Sequence, residues 1–331
     1  MMNSAQVAFD WFSRHSRTQL PMLAETMTNG SNAPENSKEP YVIVPEFSLL
    51  APLPEHQRKR FETALYLMHE TLADRFSWEQ IAQKSAISAC HFHRQFTELF
   101  NETPGQYLSR FRLQYAVGLL MINDGTKITD IAHASGYSSS QAMAKALKRE
   151  LGVTAKAIRD MTTSATPRET SELLNKLAHP AGENSLENQL AKNLPCELIW
   201  YPERGIKKLD MVDFDWDVVF ETLGKKCTHL MSATPIAELD NQWKDISCIA
   251  GDWQAKAEEY DHFFNEGYYL CCTVYLVTDV AYSEAIEKLF EYAEEHGHPV
   301  DLSGSLIEMV HDVELSLTGG ATFTFQIPIE S

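Results

Sequence analysis

One helical pattern occurs twice in this chain, about fifty residues apart. WEQIAQKSAIS (78–88) matches ITDIAHASGYS (128–138), and after one added residue FHRQF (92–96) matches MAKAL (143–147). Each copy combines a short amphipathic segment, a small residue near the turn, and a second amphipathic segment with apolar anchors. The repeat therefore predicts two helix-turn-helix units in one all-α region, an arrangement in which the second helix of each unit enters the major groove of DNA.

Capping signals mark where several of these helices begin. Ser77 followed by Gln80 fits a capping box ahead of the first unit. Thr103, with proline next and glutamine three residues on, gives a second box at the start of the helix that joins the units. That helix is predicted to run from Pro104 to about Ile122, a length of about 28 Å. It would hold two reading helices near one turn of DNA apart, about 34 Å.

The charge of the chain is divided unevenly along its length. The net charge is −18, yet residues 55–165 carry fourteen Lys and Arg against eleven Asp and Glu. Residues 166–331 carry eleven basic against thirty acidic residues, and residues 1–54 carry three against five. The repeat thus lies in the only basic region, where phosphates are not repelled. An ordinary all-α domain without a nucleic-acid role is the alternative to DNA binding.

The second helix of the first unit carries a group of residues that also suggests a metal or catalytic site. Residues two apart on a helix differ by about 200° in direction, so His91 and His93 cannot hold one metal ion. A helical wheel buries the phenylalanines and leaves His93, Arg94 and Thr97 exposed, where an arginine can contact a guanine edge or a phosphate. His91 is predicted to be a half-buried packing residue.

Residues 60–160 resemble the AraC/XylS family of transcription regulators, above all in CHFHRQFTELFNETPGQYLSRFRLQYAVGLL followed by ITDIAHASGY. The resemblance implies that the second helix of each unit enters successive major grooves. It places base or backbone contacts on Cys90, His93, Arg94, Ser140, Gln141 and Lys145.

Three further positions qualify that resemblance. Arg112 matches an arginine of the family's joining helix, where a structural role and a phosphate contact both remain open. Met143 and Leu147 stand where phenylalanines are usual in the family, and Ala155 stands where proline is usual. The second unit is therefore expected to bind DNA more weakly than the first.

The C-terminal part, residues 195–331, has the periodicity of strands. Its clearer half reads as strand (268–277), helix (282–297), strand (305–313) and strand (321–329), and the same order is expected once before it. The helix has one apolar stripe and a glycine stop. The expected fold class is multidomain: an all-α double helix-turn-helix domain followed by an α+β domain, a duplicated βαββ unit with its helices on one face.

The C-terminal part resembles the GyrI-like small-molecule-binding domain, in PERGIKKLDMV, AYSEAIEKLFEYAEEHGHPV, IEMVHD and FQIPI. Together with the first resemblance, this gives an arrangement similar to the Rob-type regulators. The resemblance implies a small amphipathic, often cationic ligand with Glu308 as its counter-charge, because a buried carboxylate is costly until a cation offsets it. Aromatic residues expected to line the ligand site are Trp200, Trp216, Trp253 and Tyr269.

Four segments are predicted: an N-terminal extension of unknown role (1–54), the DNA-binding domain (55–162), a linker with one short helix (163–194) and the ligand-binding domain (195–331). The expected function is sequence-specific DNA binding in a ligand-responsive transcription regulator. Two alternatives concern the C-terminal domain: a small-molecule hydrolase, which lacks support from any nucleophile, phosphate-loop or zinc motif, and a protein-binding module.

The expected partners are double-stranded DNA and a small-molecule effector, with RNA polymerase as a candidate and monomer and homodimer both open. No cofactor, metal site or enzymatic activity is expected. A cytoplasmic location and no membrane association are expected, since the longest apolar runs are about half the length that crosses a bilayer. Six scattered cysteines without a C-x-x-C pair are expected to be reduced thiols.

Overall fold

The computed structural model describes residues 39–122, 125–209, 216, 219, 223–314 and 319–330. Most of the predicted N-terminal extension therefore lies outside the described residues. The remainder consists of a helical region, a packed connection and a sheet.

The helical region contains eight described helices, and their bounds are α1 Pro45–Leu50, α2 Glu55–Glu70, α3 Trp78–Lys84, α4 Ala89–Phe100, α5 Pro104–Met121, α6 Ile128–Ala134, α7 Ser140–Glu150 and α8 Ala155–Ser164. The pairs α3–α4 and α6–α7 are the two predicted helix-turn-helix units, and α5 is the joining helix. Both predicted capping boxes are present, at Ser77 with Gln80 and at Thr103 with Gln106.

The turns of the two units share a backbone conformation that the repeat places at equivalent positions. Ala86 has φ of 56° and Gly136 has φ of 77°. At Gly136 a Cβ atom would lie 2.4 Å from the carbonyl oxygen of Leu72, so only glycine fits there. The first unit accepts alanine in the same left-handed conformation, which costs about 1–2 kcal/mol for a residue with a Cβ.

Each unit has its own apolar core. The first is built from aromatic side chains of α4 that pack with Phe61 of α2 and Tyr107 of α5. The second is built from α5, α6 and α7 around Ile131, Met143 and Leu147. Apolar spacing along each helix thus closes two adjacent cores on opposite ends of α5.

The sheet has nine strands, with bounds β1 Tyr41–Ile43, β4 Glu197–Tyr201, β5 Arg204–Lys208, β6 Leu230–Pro235, β7 Ile249–Asp252, β8 His262–Phe264, β9 Gly267–Leu276, β10 Ser305–Val313 and β11 Ala321–Ile329. Their order is β1-β9-β11-β10-β6-β7-β5-β8, and β4 also pairs with β9. The last two strands have the bounds that the sequence predicts. A two-stranded hairpin, β2 Pro180–Ala181 with β3 Asn184–Ser185, lies outside this sheet.

Helix α11, Asp279–Glu295, covers one face of the sheet, with Ala285, Leu289 and Ala293 buried against it. The helix ends before Gly297, which has φ of 68° and supplies the predicted stop. In the other half of the sheet, Trp216, Val219 and Leu223 are helical and spaced to share one face. Trp216 and Val219 are buried in the core that α11 covers.

Two segments join the helical region to the sheet in ways the sequence did not predict. Strand β1 belongs to the predicted extension, yet it pairs in parallel with β9, Tyr41 opposite Val274. The predicted linker contains α9 Pro167–Leu174 and α10 Leu186–Ala191, and it buries Leu173 and Leu177 in the core of the second unit. Residues 163–194 therefore form a packed connection between the helical region and the sheet. Its composition is mostly polar, but its buried leucines pack it against the second unit.

Candidate functional site

Helix α4 presents a polar surface because its phenylalanines turn to the core. Phe92, Phe96 and Phe100 are at most 2% exposed, whereas Cys90 and Arg94 are exposed on the opposite side. Thr97 is half-buried and its hydroxyl donates to the carbonyl of His93 at 2.8 Å. The predicted exposure of Arg94 and Cys90 therefore agrees with the structure.

The two histidines of α4 differ from the prediction. His91 is exposed, and its Nδ1 lies 3.5 Å from Nη2 of Arg94. His93 is the half-buried one, and its ring packs on Trp78 with 5.3 Å between centroids. Residues four apart advance by about 40°, so the buried side of α4 turns from Phe92 toward His93 and away from His91. The prediction that His91 is a packing residue was wrong.

Helix α7 repeats the surface of α4. By the offset of the repeat, Gln141 is equivalent to Cys90 and Lys145 to Arg94, and all four side chains are exposed. Ser140 is half-buried, with its hydroxyl 3.5 Å from Oε1 of Gln141. The same two positions on each second helix thus carry groups able to reach a nucleic acid.

Arg112 lies between the two units. A Cβ atom on Gly136 would come within 3.0 Å of its Nε, and this Nε is buried without a hydrogen-bond partner among the described residues. Burial and the nearby charge of Arg75 lower the pKa of Arg112. Arg75 itself is exposed and bonds Nδ1 of His133 at 2.7 Å, so it links the first unit to α6.

A buried polar network lies beside the first unit. The carboxylate of Glu46, at the start of α1, lies 2.9 Å from Nε2 of His179, whose Nδ1 lies 2.7 Å from Glu187. The same Glu46 oxygen accepts from the hydroxyl of Tyr107 at 2.8 Å, and that hydroxyl lies 2.8 Å from Nε2 of His69. The network connects α2 and α5 with the packed connection.

Protonation in this network follows from burial and from the two carboxylates. Burial lowers the pKa of His179, but Glu46 and Glu187 outweigh it and raise the net pKa to about 9. Burial is the main reason that the pKa of His69 falls to about 4. The pKa of Glu46 is held well below its usual range by His179, against the effect of burial. His179 is therefore the charged histidine of the network at neutral pH.

A second buried carboxylate lies in the sheet. Glu308 of β10 is 0% exposed, and its Oε2 accepts from Nε1 of Trp216 at 3.2 Å and from the hydroxyl of Tyr282 at 2.6 Å. Ser232 lies directly opposite Glu308 on β6. The hydroxyls of Ser232 and Thr234 are buried without a hydrogen-bond partner among the described residues.

The structure brings only one of the four predicted aromatic residues to Glu308, namely Trp216. Tyr269 and Trp253 pack in a cluster on the other face of the sheet, with Ile206 and Ile307. Trp200 is 51% exposed on β4. Strand alternation explains the difference, because a single-residue offset in register moves a side chain to the opposite face. Tyr282, which touches Glu308, was missed because its contact depends on how α11 packs on the sheet.

Comparisons with known proteins agree with the helical part of this description. Residues 81–161 match a family model described as a helix-turn-helix domain. The HTH-type transcriptional activators RhaS of Escherichia coli strains O139:H28 and SE11 are 30% identical over 105 residues, 32% of this chain and 37% of theirs. The match to these curated relatives therefore spans little more than a third of their length.

Two solved structures are also similar to about a third of this chain. A transcriptional regulator with an AraC-type DNA-binding domain from Chromobacterium violaceum is 22% identical, with a TM-score of 0.30, over 33% of this chain and 96% of the other. The DNA-binding domain of AdpA in complex with a target DNA is 27% identical, with a TM-score of 0.29, over 31% of this chain and 90% of the other.

The residues that the structure describes contain neither a membrane-spanning helix nor a metal-binding cluster. No helix there is long and apolar enough to cross a membrane. No group of three or more His, Cys, Asp or Glu side chains there is placed to hold a metal ion.

Proposed function

We propose that this protein is a sequence-specific DNA-binding transcription regulator. The observation that carries the proposal is the equivalence of two exposed surfaces, Cys90 with Arg94 on α4 and Gln141 with Lys145 on α7. The arginine guanidinium forms paired hydrogen bonds with guanine edges or phosphates, and lysine and glutamine form hydrogen bonds with base edges. The match to HTH-type transcriptional activators over 105 residues of the chain supports the same function.

The joining helix determines the expected binding site. Helix α5 has eighteen residues, about 27 Å of rigid spacer, and both units pack on it. Two major grooves on one side of DNA lie about 34 Å apart. We therefore expect a bipartite site whose halves are separated by about one turn.

Selection from a pool of random duplexes by the full chain tests this function. The expected result is enrichment of a two-part motif with its parts about 10 base pairs apart. Arg94→Ala should weaken binding to that motif, while Arg168→Ala, an exposed arginine on α9 outside the surface, should not. Binding that enriches no motif and depends only on salt would leave a non-specific nucleic-acid binder and contradict the proposal.

We further propose that the sheet domain senses a small amphipathic cation, as its GyrI-like sequence resemblance implies. Glu308 would supply the counter-charge, and Trp216 and Tyr282 would supply aromatic faces worth about 0.5–2 kcal/mol of cation–π attraction. The buried hydroxyls of Ser232 and Thr234, which have no partner among the described residues, support a polar interior there.

A chain of contacts connects this proposed site with the helical region. Tyr282 bonds Glu308 from α11, and Glu284 of the same helix accepts from Nδ2 of Asn188 on α10 at 2.7 Å. The next network begins at Glu187 and reaches Tyr107 of α5. Coupling between ligand and DNA would follow this chain if the ligand favours one arrangement of α11, because both sites then bias one element.

Thermal melting of the full chain with a panel of lipophilic cations, including tetraphenylphosphonium, tests the sensing function. A concentration-dependent rise in melting temperature is expected for at least one cation, and Glu308→Gln should reduce affinity for it more than twofold. Glu294→Gln, an exposed change on α11, is the matched control. An affinity changed twofold or less by Glu308→Gln would count against Glu308 as the counter-charge.

A further inference from the structure

Two cysteines are brought together where the packed connection enters the sheet. Strand β4 pairs antiparallel with β9, with Glu197 opposite Cys271. The preceding residue, Cys196, is therefore opposite Cys272 in the continued register. Opposed residues of antiparallel strands have Cα atoms about 4.5 or 5.5 Å apart, and a disulfide accepts separations of about 4.4–6.8 Å. The two positions thus satisfy the main distance requirement of a disulfide.

The two thiols differ in exposure and in acidity. Cys272 is buried on the face covered by α11, whereas Cys196 is half-exposed and packs at the edge of the same core. A side-chain hydrogen bond from Cys272 lowers the pKa of Cys196, with a smaller contribution from the charge of Lys288. The same hydrogen bond, together with burial, raises the pKa of Cys272. Cys196 is therefore the more exposed and the more acidic of the two neighbouring thiols.

We propose that Cys196 and Cys272 form an intramolecular disulfide when the protein meets a hydroperoxide. The thiolate of Cys196 attacks one oxygen of hydrogen peroxide, so an S–O bond forms, the O–O bond breaks, and hydroxide leaves and takes up a proton. The Cys272 sulfur then attacks the sulfenic sulfur, so the S–S bond forms and the S–O bond breaks. The thiol proton leaves with the hydroxide as water. Two thiols and one peroxide give one disulfide and two waters.

The other four cysteines do not combine an accessible thiol of lowered pKa with a second thiol directly opposite it. Burial raises the pKa of Cys227, Cys248 and Cys271 to about 12 in each case. Cys271 is next to Cys272 in sequence but lies on the opposite face of the sheet, in the cluster with Tyr269. Cys90 is exposed on α4, far along the chain from the pair. The thiolate, and not the thiol, is the nucleophile, so Cys196 should react before Cys227, Cys248 and Cys271.

The bond would change how the packed connection is held. Cys196 lies two residues after Leu194, which is buried in the core beneath α11. A disulfide would fix the start of β4 to the middle of β9 by a covalent bond. The connection between the helical region and the sheet would then be held at its sheet end even if the hydrogen bonds of β4 open.

Peptide mass spectrometry on the full-length Cys90→Ser variant, which removes the exposed cysteine, tests this assignment. The protein is treated with hydrogen peroxide, remaining thiols are alkylated, and trypsin releases residues 193–204 and 257–288 as the two relevant peptides. The expected product is these peptides joined, with a mass two hydrogens below their sum, and restored to separate peptides by reduction. Recovery of Cys196 as an alkylated thiol or a sulfinic acid, with no joined peptides, would overturn the proposal.

The partner of Cys196 is decided by two further variants. In Cys271→Ser the peptide 257–288 keeps Cys272 as its single thiol, and the joined product should persist. In Cys272→Ser the joined product should disappear, and circular dichroism shows whether that variant is folded. If Cys272→Ser does not fold, the Cys271→Ser variant alone decides. Loss of the joined product in Cys271→Ser, or a bond between Cys271 and Cys272 themselves, would contradict the assigned pair.

Discussion

The two helix-turn-helix units have similar backbones but are stabilised by different side chains. In the first unit the ring of Phe96 contacts those of Phe92 and Phe100. It also stacks against Phe61 and meets the ring of Tyr107 edge-on. In the second unit the equivalent anchors are Met143 and Leu147, with no ring among them. Aromatic pairs add about 0.5–1.5 kcal/mol beyond buried area. One sequence pattern thus specifies one backbone with two kinds of interior.

The surroundings of the two units differ as well. The core of the second unit continues into the packed connection and reaches Val280 of α11, which is apolar contact with the sheet domain. Beside the first unit, α1, α2 and α5 meet the connection through the ionised network of Glu46, His179 and Glu187. Apolar side chains can shift against one another at little cost in free energy. A buried charge that loses its partner is strongly destabilising, so such a contact fixes the position of both partners. The first unit is therefore held in a defined position, and the second shares its stability with the sheet domain.

The largest effect is expected from removing the central ring of the first unit. Phe96→Ala leaves a cavity among four rings and should lower the free energy of unfolding by about 4 kcal/mol, against about 3 kcal/mol for Leu147→Ala at the equivalent position. Urea unfolding followed by circular dichroism measures both. Equal losses would show that the aromatic interior adds nothing to the buried area.

The next effect concerns pH and the network beside the first unit. The folded pKa of His179 is raised to about 9, so its stabilisation is complete below the ordinary value near 6.5 and is lost as pH rises to about 9. His69 acts in the opposite direction, because its folded pKa of about 4 makes the protein less stable as pH falls below 6.5. We expect maximal stability near pH 6.5 and a loss on the order of 3 kcal/mol from His179 by pH 9.

Urea unfolding at several pH values across this range measures how the free energy of unfolding changes with pH. His179→Gln should flatten the decline between pH 6.5 and 9, while His56→Gln, an exposed histidine on α2, should leave it unchanged. An unaltered decline in the first variant would place its origin elsewhere in the molecule.

A comparable effect is expected at the turns. Gly136→Ala forces a left-handed conformation on alanine and brings its Cβ against the carbonyl of Leu72, so a loss on the order of 3 kcal/mol is expected. Ala86→Gly at the equivalent turn should raise stability by about 1 kcal/mol, since it relieves the same conformation. Thermal melting of both variants checks the opposite signs. A stabilising Gly136→Ala would mean that the second turn relaxes freely.

The smallest effects are expected on the exposed surfaces. At the selected DNA site, Arg94→Ala should weaken binding by about 1–3 kcal/mol and relax preference at one base position, if it reads a base. Lys145→Ala should weaken binding to all sequences similarly and reduce the salt slope by about one. Fluorescence anisotropy at several salt concentrations separates the two. Identical behaviour would remove the distinction between the two reading helices.

The helices and strands were largely predictable because their information is local. Capping boxes and apolar spacing fix α3, α5 and the last two strands, and the structure has them where the sequence places them. Helix α11 ends before its predicted glycine stop but begins at Asp279, three residues before the predicted start at 282, because Thr278 caps it. The repeat also gave the equivalence of Arg94 with Lys145. These features depend on residues within a few turns of one another.

The rest depends on residues far apart in sequence. The interaction of Glu46 with His179 spans 133 positions, and no local pattern records it. The ligand-site aromatics were chosen without knowledge of register, so Tyr269 and Trp253 fell on the face away from Glu308. His91 was misplaced for a smaller reason: the buried side of α4 turns gradually along the helix.

The pairing of β1 with β9 has a further consequence for how the helical region moves. Strands β1, which ends at Ile43, and β4, which begins at Glu197, pair with the same edge of β9. Both helix-turn-helix units lie between these two strands in the sequence. The helical region is thus connected at both of its ends, through β1 and β4, to the single strand β9. A body tethered at one point can swivel freely, but one tethered at two neighbouring points turns mainly about the line between them. Reorientation of the two units relative to the sheet is thereby reduced to about one rotational axis.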